Sequence, residues 1–356
     1  MQGGIAVGAE ALSLSGSGIS NGGALRNVSG ANSYAGAITL AGGGAGISSD
    51  AGTLTLSGVI GGVGQALTVG GAGTTMLTAA NTYSGGTTIS GGTLSIGVGG
   101  ATGTLGSGAV VNNGTLQINR SNAITVANDI SGTGALSKIG ANALTLTGTN
   151  SYGGTTTISA GTLNVGVGGT TGSLGTGAVI NDGTLVFNRS DTLTVNGVIS
   201  GTGALTQAGT GKTILAGGLS GYTGTTTISA GQLQIGNGST SGTVTGNIVN
   251  NGALTFDLPN TTTYTSVISG TGSVTKTGAG TLTLTGTNTY SGPTTVSAGR
   301  LSQRQHRQQR DGRGWRQPRW QRDDLRHRDE PQPGYHRAGQ FDRHPHGERH
   351  IYASRR

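Results

Sequence analysis

Apolar and polar residues alternate in short runs along most of this chain. Residues 184–188 read Thr-Leu-Val-Phe-Asn and residues 193–196 read Leu-Thr-Val-Asn, and glycine-rich turns, often Asn-Gly or Asp-Gly, separate such runs. Alternation sends successive side chains to opposite faces of a strand, and Asn-Gly and Asp-Gly are strong turn signals. The pattern predicts many short strands with aliphatic side chains inside and Thr, Asn and Arg outside. Glycine supplies the positive φ that sharp corners need.

One phrase recurs at a nearly constant interval. Residues 150–163 reappear with small changes at 81–94, 220–231 and 288–299, and a degenerate copy lies at 32–40. Two other phrases, Ile-Ser-Gly-Thr-Gly and an Asn/Asp-Gly turn, also repeat in steps of 69 residues. The phrase tyrosines are spaced by 69, 70 and 68 positions after the second one, and they are Tyr34, Tyr83, Tyr152, Tyr222 and Tyr290. A fixed period of this kind is typical of a solenoid.

The period divides the chain into regions. A 69-residue unit holds three coils of roughly 23 residues, a usual size for a β-solenoid coil, and such coils stack about 4.8 Å apart. We expect an all-β solenoid with degenerate coils over residues 1–80 and a regular 69-residue super-repeat over 81–301. The exposed end coils are edges that invite pairing with other chains, so self-association through the ends is a candidate interaction.

The composition fits this architecture. Glycine makes up 73 of 356 residues, charged residues 10% and aromatic residues 4%, and cysteine is absent. With only 6 prolines and no glycine period of three, collagen is excluded. No run of about 18 apolar residues predicts a membrane-spanning helix, and residues 1–5 lack the features of a signal peptide. We therefore expect either a cytosolic protein or an internal fragment.

Residues that could carry chemistry are scarce. Residues 1–300 contain no histidine, and their six acidic residues are scattered from Glu10 to Asp257. Asp182 and Asp191 are nine positions apart, and no nucleophile elbow, calcium nonapeptide or phosphate loop is present. Acid–base and metal chemistry need converging groups, so we predict no enzyme activity and no catalytic, cofactor or metal site. The recurring tyrosines are either corner-packing residues or a ring surface for sugars.

Residues 302–356 have a different composition. Residues 1–300 hold seven basic and six acidic side chains, so they contribute +1 to the net charge of +8 and the tail contributes +7. Arg-plus-aromatic composition could bind single-stranded nucleic acid, and His344 and His346 could touch a metal. The alternative that we favour is a shifted reading frame, because restoring the frame yields another repeat; the tail would then be disordered. It also explains the arginines at every third position, which are Arg304, Arg307, Arg310, Arg313, Arg316, Arg319 and Arg322.

The phrase at residues 281–299, Thr-Leu-Thr-Leu-Thr-Gly-Thr-Asn-Thr-Tyr-Ser-Gly-Pro-Thr-Thr-Val-Ser-Ala-Gly, resembles the autotransporter-associated β-strand repeat of type V secretion passengers. The resemblance implies a right-handed parallel β-helix, export through an outer-membrane translocator barrel absent from this chain, and display on a Gram-negative cell surface. It implies a role in passenger folding and transport, as a non-catalytic stalk or adhesive surface for host or neighbouring cells. Two alternatives stay open: the scaffold of a passenger enzyme whose catalytic module is missing, and nucleic-acid binding through the tail.

Overall fold

A computed structural model describes residues 1–240 and 245–303, together with the backbone of a last strand at His350–Tyr352. The described chain forms a parallel β-solenoid of about 14 turns, which confirms the predicted all-β fold. Its one short helix is a 3-10 turn at Ile19–Asn21, and no helix among the described residues is long and apolar enough to cross a membrane. The predictions for the arginine-rich tail concern residues 304–349 and 353–356, outside this description.

The strands are short and follow one another around the coils. The first group is β1 Ala6–Val7, β2 Leu12–Gly16, β3 Leu25–Asn27, β4 Ala31–Tyr34, β5 Ile38–Ser49, β6 Thr53–Leu56, β7 Ile60–Gly61, β8 Ala66–Gly70, β9 Thr74–Leu77, β10 Thr87–Ile89, β11 Thr93–Ile96 and β12 Val110–Asn112. The second is β13 Thr115–Ile118, β14 Ile124–Val126, β15 Ile130–Ser131, β16 Ala135–Lys138, β17 Ala143–Leu146, β18 Thr156–Ile158, β19 Thr162–Val165, β20 Val179–Asn181, β21 Thr184–Phe187, β22 Thr192–Val195, β23 Ile199–Ser200 and β24 Ala204–Gln207. The third is β25 Lys212–Leu215, β26 Thr226–Ile228, β27 Gln232–Ile235, β28 Ile248–Asn250, β29 Ala253–Phe256, β30 Thr262–Tyr264, β31 Ile268–Ser269, β32 Ser273–Lys276, β33 Thr281–Leu284, β34 Thr294–Val296, β35 Arg300–Gln303 and β36 His350–Tyr352.

Strands from successive coils pair in parallel to form the walls of the solenoid. Five sheets result, and the longest contains 10 strands, from β1 through β4, β6, β9, β11, β13, β16, β18 and β20 to β23. Sequence neighbours such as β12, β13 and β14 lie in three different sheets, so one coil supplies one strand to each of three faces. The last pair, β35 with β36, is antiparallel.

The core is a set of aliphatic ladders along the axis. Leu94, Leu116 and Leu136 are consecutive partners in one ladder and are buried. Their strand neighbours Thr93 and Thr115 stack on each other and are half-exposed. Each fully buried leucine contributes about 1.5–3 kcal/mol relative to an exposed one. Because each coil supplies only a thin slice of core, its stability depends on the coils on either side.

Coil length varies in the repeated part of the chain. Stacked partners are 19 residues apart at Ala143 and Thr162 and 23 residues apart at Thr87 and Val110, so the expected figure of roughly 23 is the upper end of the range. The longer coil contains an exposed loop at residues 98–102. Such a loop bulges outward and leaves the stacked strands in register.

The 69-residue repeat extends over three coils and one further face. Leu94 stacks on Leu116, Leu116 on Leu136, and Leu136 on Thr156. Thr156 is the repeat counterpart of Thr87, which lies one strand before Leu94 in the chain. Later repeats behave in the same way, since Leu163, Leu185, Leu205 and Thr226 form one ladder. The expectation that a unit spans three whole coils is therefore wrong, and equivalent residues of successive units lie on successive faces.

Candidate functional site

The recurring tyrosines are buried at corners of the solenoid. Tyr83, Tyr152 and Tyr222 have no exposed surface, Tyr290 is 1% exposed, and Tyr34 is 6% exposed. Rings in this position have no free face to offer a ligand. Their place in the fold is that of corner-packing residues rather than a sugar-binding surface.

The buried hydroxyl groups find partners close by. The Tyr83 hydroxyl lies 2.8 Å from Thr87 Oγ1 and that of Tyr152 lies 2.8 Å from Thr156 Oγ1, whereas Tyr222 donates to the carbonyl of Thr225 at 3.0 Å. Burial raises the pKa of Tyr83 and Tyr152 and raises that of Tyr222 to about 12. These phenols are therefore neutral at physiological pH and act as structural hydrogen-bonding groups.

An asparagine two residues before the tyrosine joins neighbouring coils, a role that the sequence did not predict. The side-chain oxygen of Asn150 accepts from the backbone N–H of Ile130 in the preceding coil at 3.0 Å, and its Nδ2 donates to the carbonyl of Ser173 in the next coil at 2.6 Å. Asn81 makes the same pair of bonds, from Ile60 and to Thr104. Asn288 accepts from Ile268 at 2.8 Å. We call Asn81, Asn150 and Asn288 the corner asparagines.

Two lysines lie inside the core, again unforeseen. Lys138 and Lys276 occupy inward positions and are 2% and 1% exposed. The Lys138 ammonium donates to the carbonyls of Gly140 and Ala160, and that of Lys276 donates to Gly278. Burial lowers the pKa of both lysines. In the repeat between them the counterpart is Gln207, whose amide donates to Gly209 and Gly211. The 69-residue spacing of this Lys, Gln, Lys set was the available signal.

The acidic residues considered as candidates serve separate local roles. Asp182 accepts from the backbone N–H of Thr202 at 3.0 Å, and Asp191 pairs with Arg189 at 2.7 Å. The Arg189 guanidinium holds the pKa of Asp191 below its ordinary value. No group of three His, Cys, Asp or Glu side chains comes together among residues 1–240 and 245–303. The absence of a catalytic, cofactor or metal site stays a prediction.

Comparison with known proteins identifies the repeats. The family model described as passenger-associated-transport-repeat matches residues 67–96, 136–165, 205–235 and 274–302, about a third of the chain. A segment of 47 residues is 57% identical to the Adhesin BmaC autotransporter of Brucella suis biovar 1 (strain 1330), and it covers 13% of this chain and 1% of that protein. No solved structure matches the chain.

The matched repeats coincide with the corners described above. Each of the first, second and fourth matches contains one corner asparagine and its tyrosine, and the starts of the matches are 69 residues apart. The resemblance to autotransporter passenger domains is thereby confirmed. The chain carries autotransporter passenger repeats, and they form a β-solenoid stalk.

Proposed function

We propose that this chain is a non-catalytic structural segment of a longer surface-displayed passenger. It serves as a stalk with an adhesive outer surface and supports its own export. Its place is the outer surface of a Gram-negative cell, and its partner during export is an outer-membrane translocator barrel.

The observation that carries the proposal is the contact made by the corner asparagines. The amide of Asn150 binds the coil before it and the coil after it, so each corner is complete only when both neighbours are in place. A solenoid edge offers unpaired backbone groups as a template for the next coil. Coils that emerge one after another from a barrel can therefore add to the folded end, and the folded coils oppose backward movement of the chain.

The outer surface fits a stalk that presents a long contact area. With about 14 turns the stalk is on the order of 65 Å long at the usual strand spacing. Its outward positions are short neutral side chains, and no charged residue occurs between Asp50 and Arg120. The name of the matched relative, an adhesin, supports an adhesive role, for which host or neighbouring-cell surfaces are the proposed targets.

Export is tested by display on cells. The full chain is placed between an export signal and the translocator barrel of an unrelated autotransporter, with an epitope tag before Met1. Antibody binding to intact cells measures surface display. We expect the chain to be displayed, and a variant with alanine at all three corner asparagines to be displayed severalfold less, because its coils add less securely.

The matched control replaces three exposed asparagines, Asn113, Asn142 and Asn251, with alanine. Equal display of the corner variant and this control would contradict the role in export. Adhesion is scored separately as retention of displaying cells on host-cell monolayers. Retention no higher than that of cells carrying the barrel alone would contradict the adhesive role and leave the export result standing.

A further inference from the structure

The third corner of the repeated region differs from the other three. Six positions separate Leu77 from Tyr83 and Leu146 from Tyr152, but seven separate Leu215 from Tyr222. The third corner, residues 216–222, therefore contains one extra residue. It also has Ser220 at the position that holds a corner asparagine in the other copies.

The substitution removes a side-chain bond between coils. Ile60, Ile130 and Ile268 each donate their backbone N–H to a corner asparagine, at 2.9, 3.0 and 2.8 Å. The equivalent donor, Ile199, instead reaches the backbone carbonyl of Gly218 at 3.1 Å. The next contact of this corner, from Gly201 N–H to the Gly221 carbonyl, is long at 3.4 Å. The preceding coil is thus held here by backbone atoms of a glycine-rich segment.

The backbone of this corner is also easier to release. The third corner contains Gly217, Gly218 and Gly221, and Gly218 and Gly221 have φ values of 79° and 69°. Glycine gains more conformational freedom on release than any other residue. Ser220 and Gly221 are exposed, whereas Leu219 is buried and is the main apolar anchor of the segment.

We propose that the third corner is the point at which the folded stalk opens first, and that it is a proteolytic modification site. Exposed segments of small residues that open locally are preferred sites of cleavage. A broad-specificity protease that accepts an extended segment would cut within residues 216–223. Cleavage would divide the stalk between β25 and β26 and leave complete coils on both sides.

Hydrogen exchange on the unmodified full chain tests local opening. Ile60, Ile130, Ile199 and Ile268 are matched probes, because all four are at most 1% exposed and begin equivalent short strands. We expect the amide of Ile199 to exchange at least about tenfold faster than the other three, given the usual effect of one buried hydrogen bond. Exchange of Ile199 as slow as that of Ile130 would overturn the proposal.

Limited proteolysis tests the modification site. Purified full chain is treated with a broad-specificity protease, and mass spectrometry locates the first cut within residues 1–303. We expect it within 216–223. A repaired variant, with Gly217 deleted, Ser220→Asn and Gly221→Thr, restores the spacing of the second corner and should be cut there at least about tenfold more slowly.

The converse change, Asn150→Ser, should make the second corner sensitive to the protease. A first cut elsewhere in residues 1–303 of the unmodified chain, or an unchanged rate in the repaired variant, would overturn the proposal. The exchange measurement and the first cut need no variant, so a variant that fails to fold leaves both tests valid.

Discussion

The first eighty residues and the repeats that follow use the same contact between coils in different ways. Asn32 and Asn150 both accept a backbone N–H from an isoleucine of the preceding coil, Ile5 at 2.6 Å and Ile130 at 3.0 Å. The Nδ2 of Asn32 turns back to Ser29 in its own coil, whereas that of Asn150 reaches the next coil. Asn32 lies 27 residues after its isoleucine and Asn150 lies 20 after its own. The contact to the preceding coil therefore tolerates a change in coil length, and the two-sided contact belongs to the repeats.

Charge marks a second difference between these regions. Arg26 and Asp50 form an ion pair at 2.6 Å near the N-terminus. The corners of the repeats are held by neutral amides and phenols buried from water. Because the two sets of groups ionise at different pH values, acid and alkali should act on different regions.

The largest effect is expected from removing a corner ring. Tyr152→Ala should lower the free energy of unfolding by about 3–5 kcal/mol, the usual cost of emptying a fully buried aromatic site. Tyr152→Phe keeps the ring and loses only the bond to Thr156, so it should cost about 1 kcal/mol. Urea titrations of both variants check this prediction. Equal costs would show that the hydroxyl, and not the ring, maintains the corner.

Alkali should weaken the repeats next most strongly. Burial raises the pKa of Tyr83, Tyr152, Tyr222, Tyr264 and Tyr290 above the ordinary value of 10.0. Their contribution to stability is complete below pH 10 and is lost as the pH rises through the raised values.

The buried lysines change the profile below pH 10. Their pKa is lowered in the folded chain, so stability rises as the pH climbs from the lowered value towards 10.5. We expect the melting temperature to pass through a maximum just below pH 10 and then to fall. Hydrogen exchange measured across this range should show faster opening in the repeats. A melting temperature that keeps rising above pH 10 would contradict the assignment.

Asparagine deletions should separate the two regions by a smaller amount. Asn150→Ala leaves the N–H of Ile130, a residue only 1% exposed, and the carbonyl of Ser173 without their partner. It should therefore cost about 1–3 kcal/mol. Asn32→Ala should cost less than about 1 kcal/mol, since Ile5 is 46% exposed and water can replace the amide. The same urea titrations measure both, and a larger loss for Asn32→Ala would reverse the comparison.

The smallest effect is expected at the exposed ion pair. The hydrogen bond and charge of Arg26 lower the pKa of Asp50 below 3.8. Its contribution is present above about pH 4 and is lost as the pH falls through the lowered value. Arg26→Gln should remove this acid dependence and its sensitivity to salt. Thermal melts between pH 2 and pH 7, with and without salt, check it; an unchanged acid profile in the variant would contradict the pairing.

The sequence could predict the strands, the period and the family resemblance because these depend on local alternation and on repetition. It could not predict the advance of one face per repeat, because loops such as residues 98–102 lengthen some coils and leave others near 20 residues. The role of Asn150 was equally hidden. Its partners Ile130 and Ser173 lie 20 and 23 residues away, and only the stacked structure brings them together.

The inward lysines show another limit of the pattern. Lys138 occupies a ladder position between Ile118 and Ile158, where alternation alone predicts an aliphatic side chain. It fits because its ammonium reaches the carbonyls of the adjacent turns. This compensation depends on the backbone path at the corner, which the sequence does not reveal.

The advance of one face per repeat is tested most directly by disulfide formation, since the chain has no cysteine of its own. Ser137 and Thr157 are stacked partners on adjacent coils, at a separation that a disulfide can bridge. The double variant Ser137→Cys/Thr157→Cys should therefore oxidise readily. If each repeat spanned three whole coils, Thr157 would instead follow Ser131, the successor of Thr88 and Val111 on their face. Rapid cross-linking of Ser131→Cys/Thr157→Cys, with none in the first variant, would contradict the described fold.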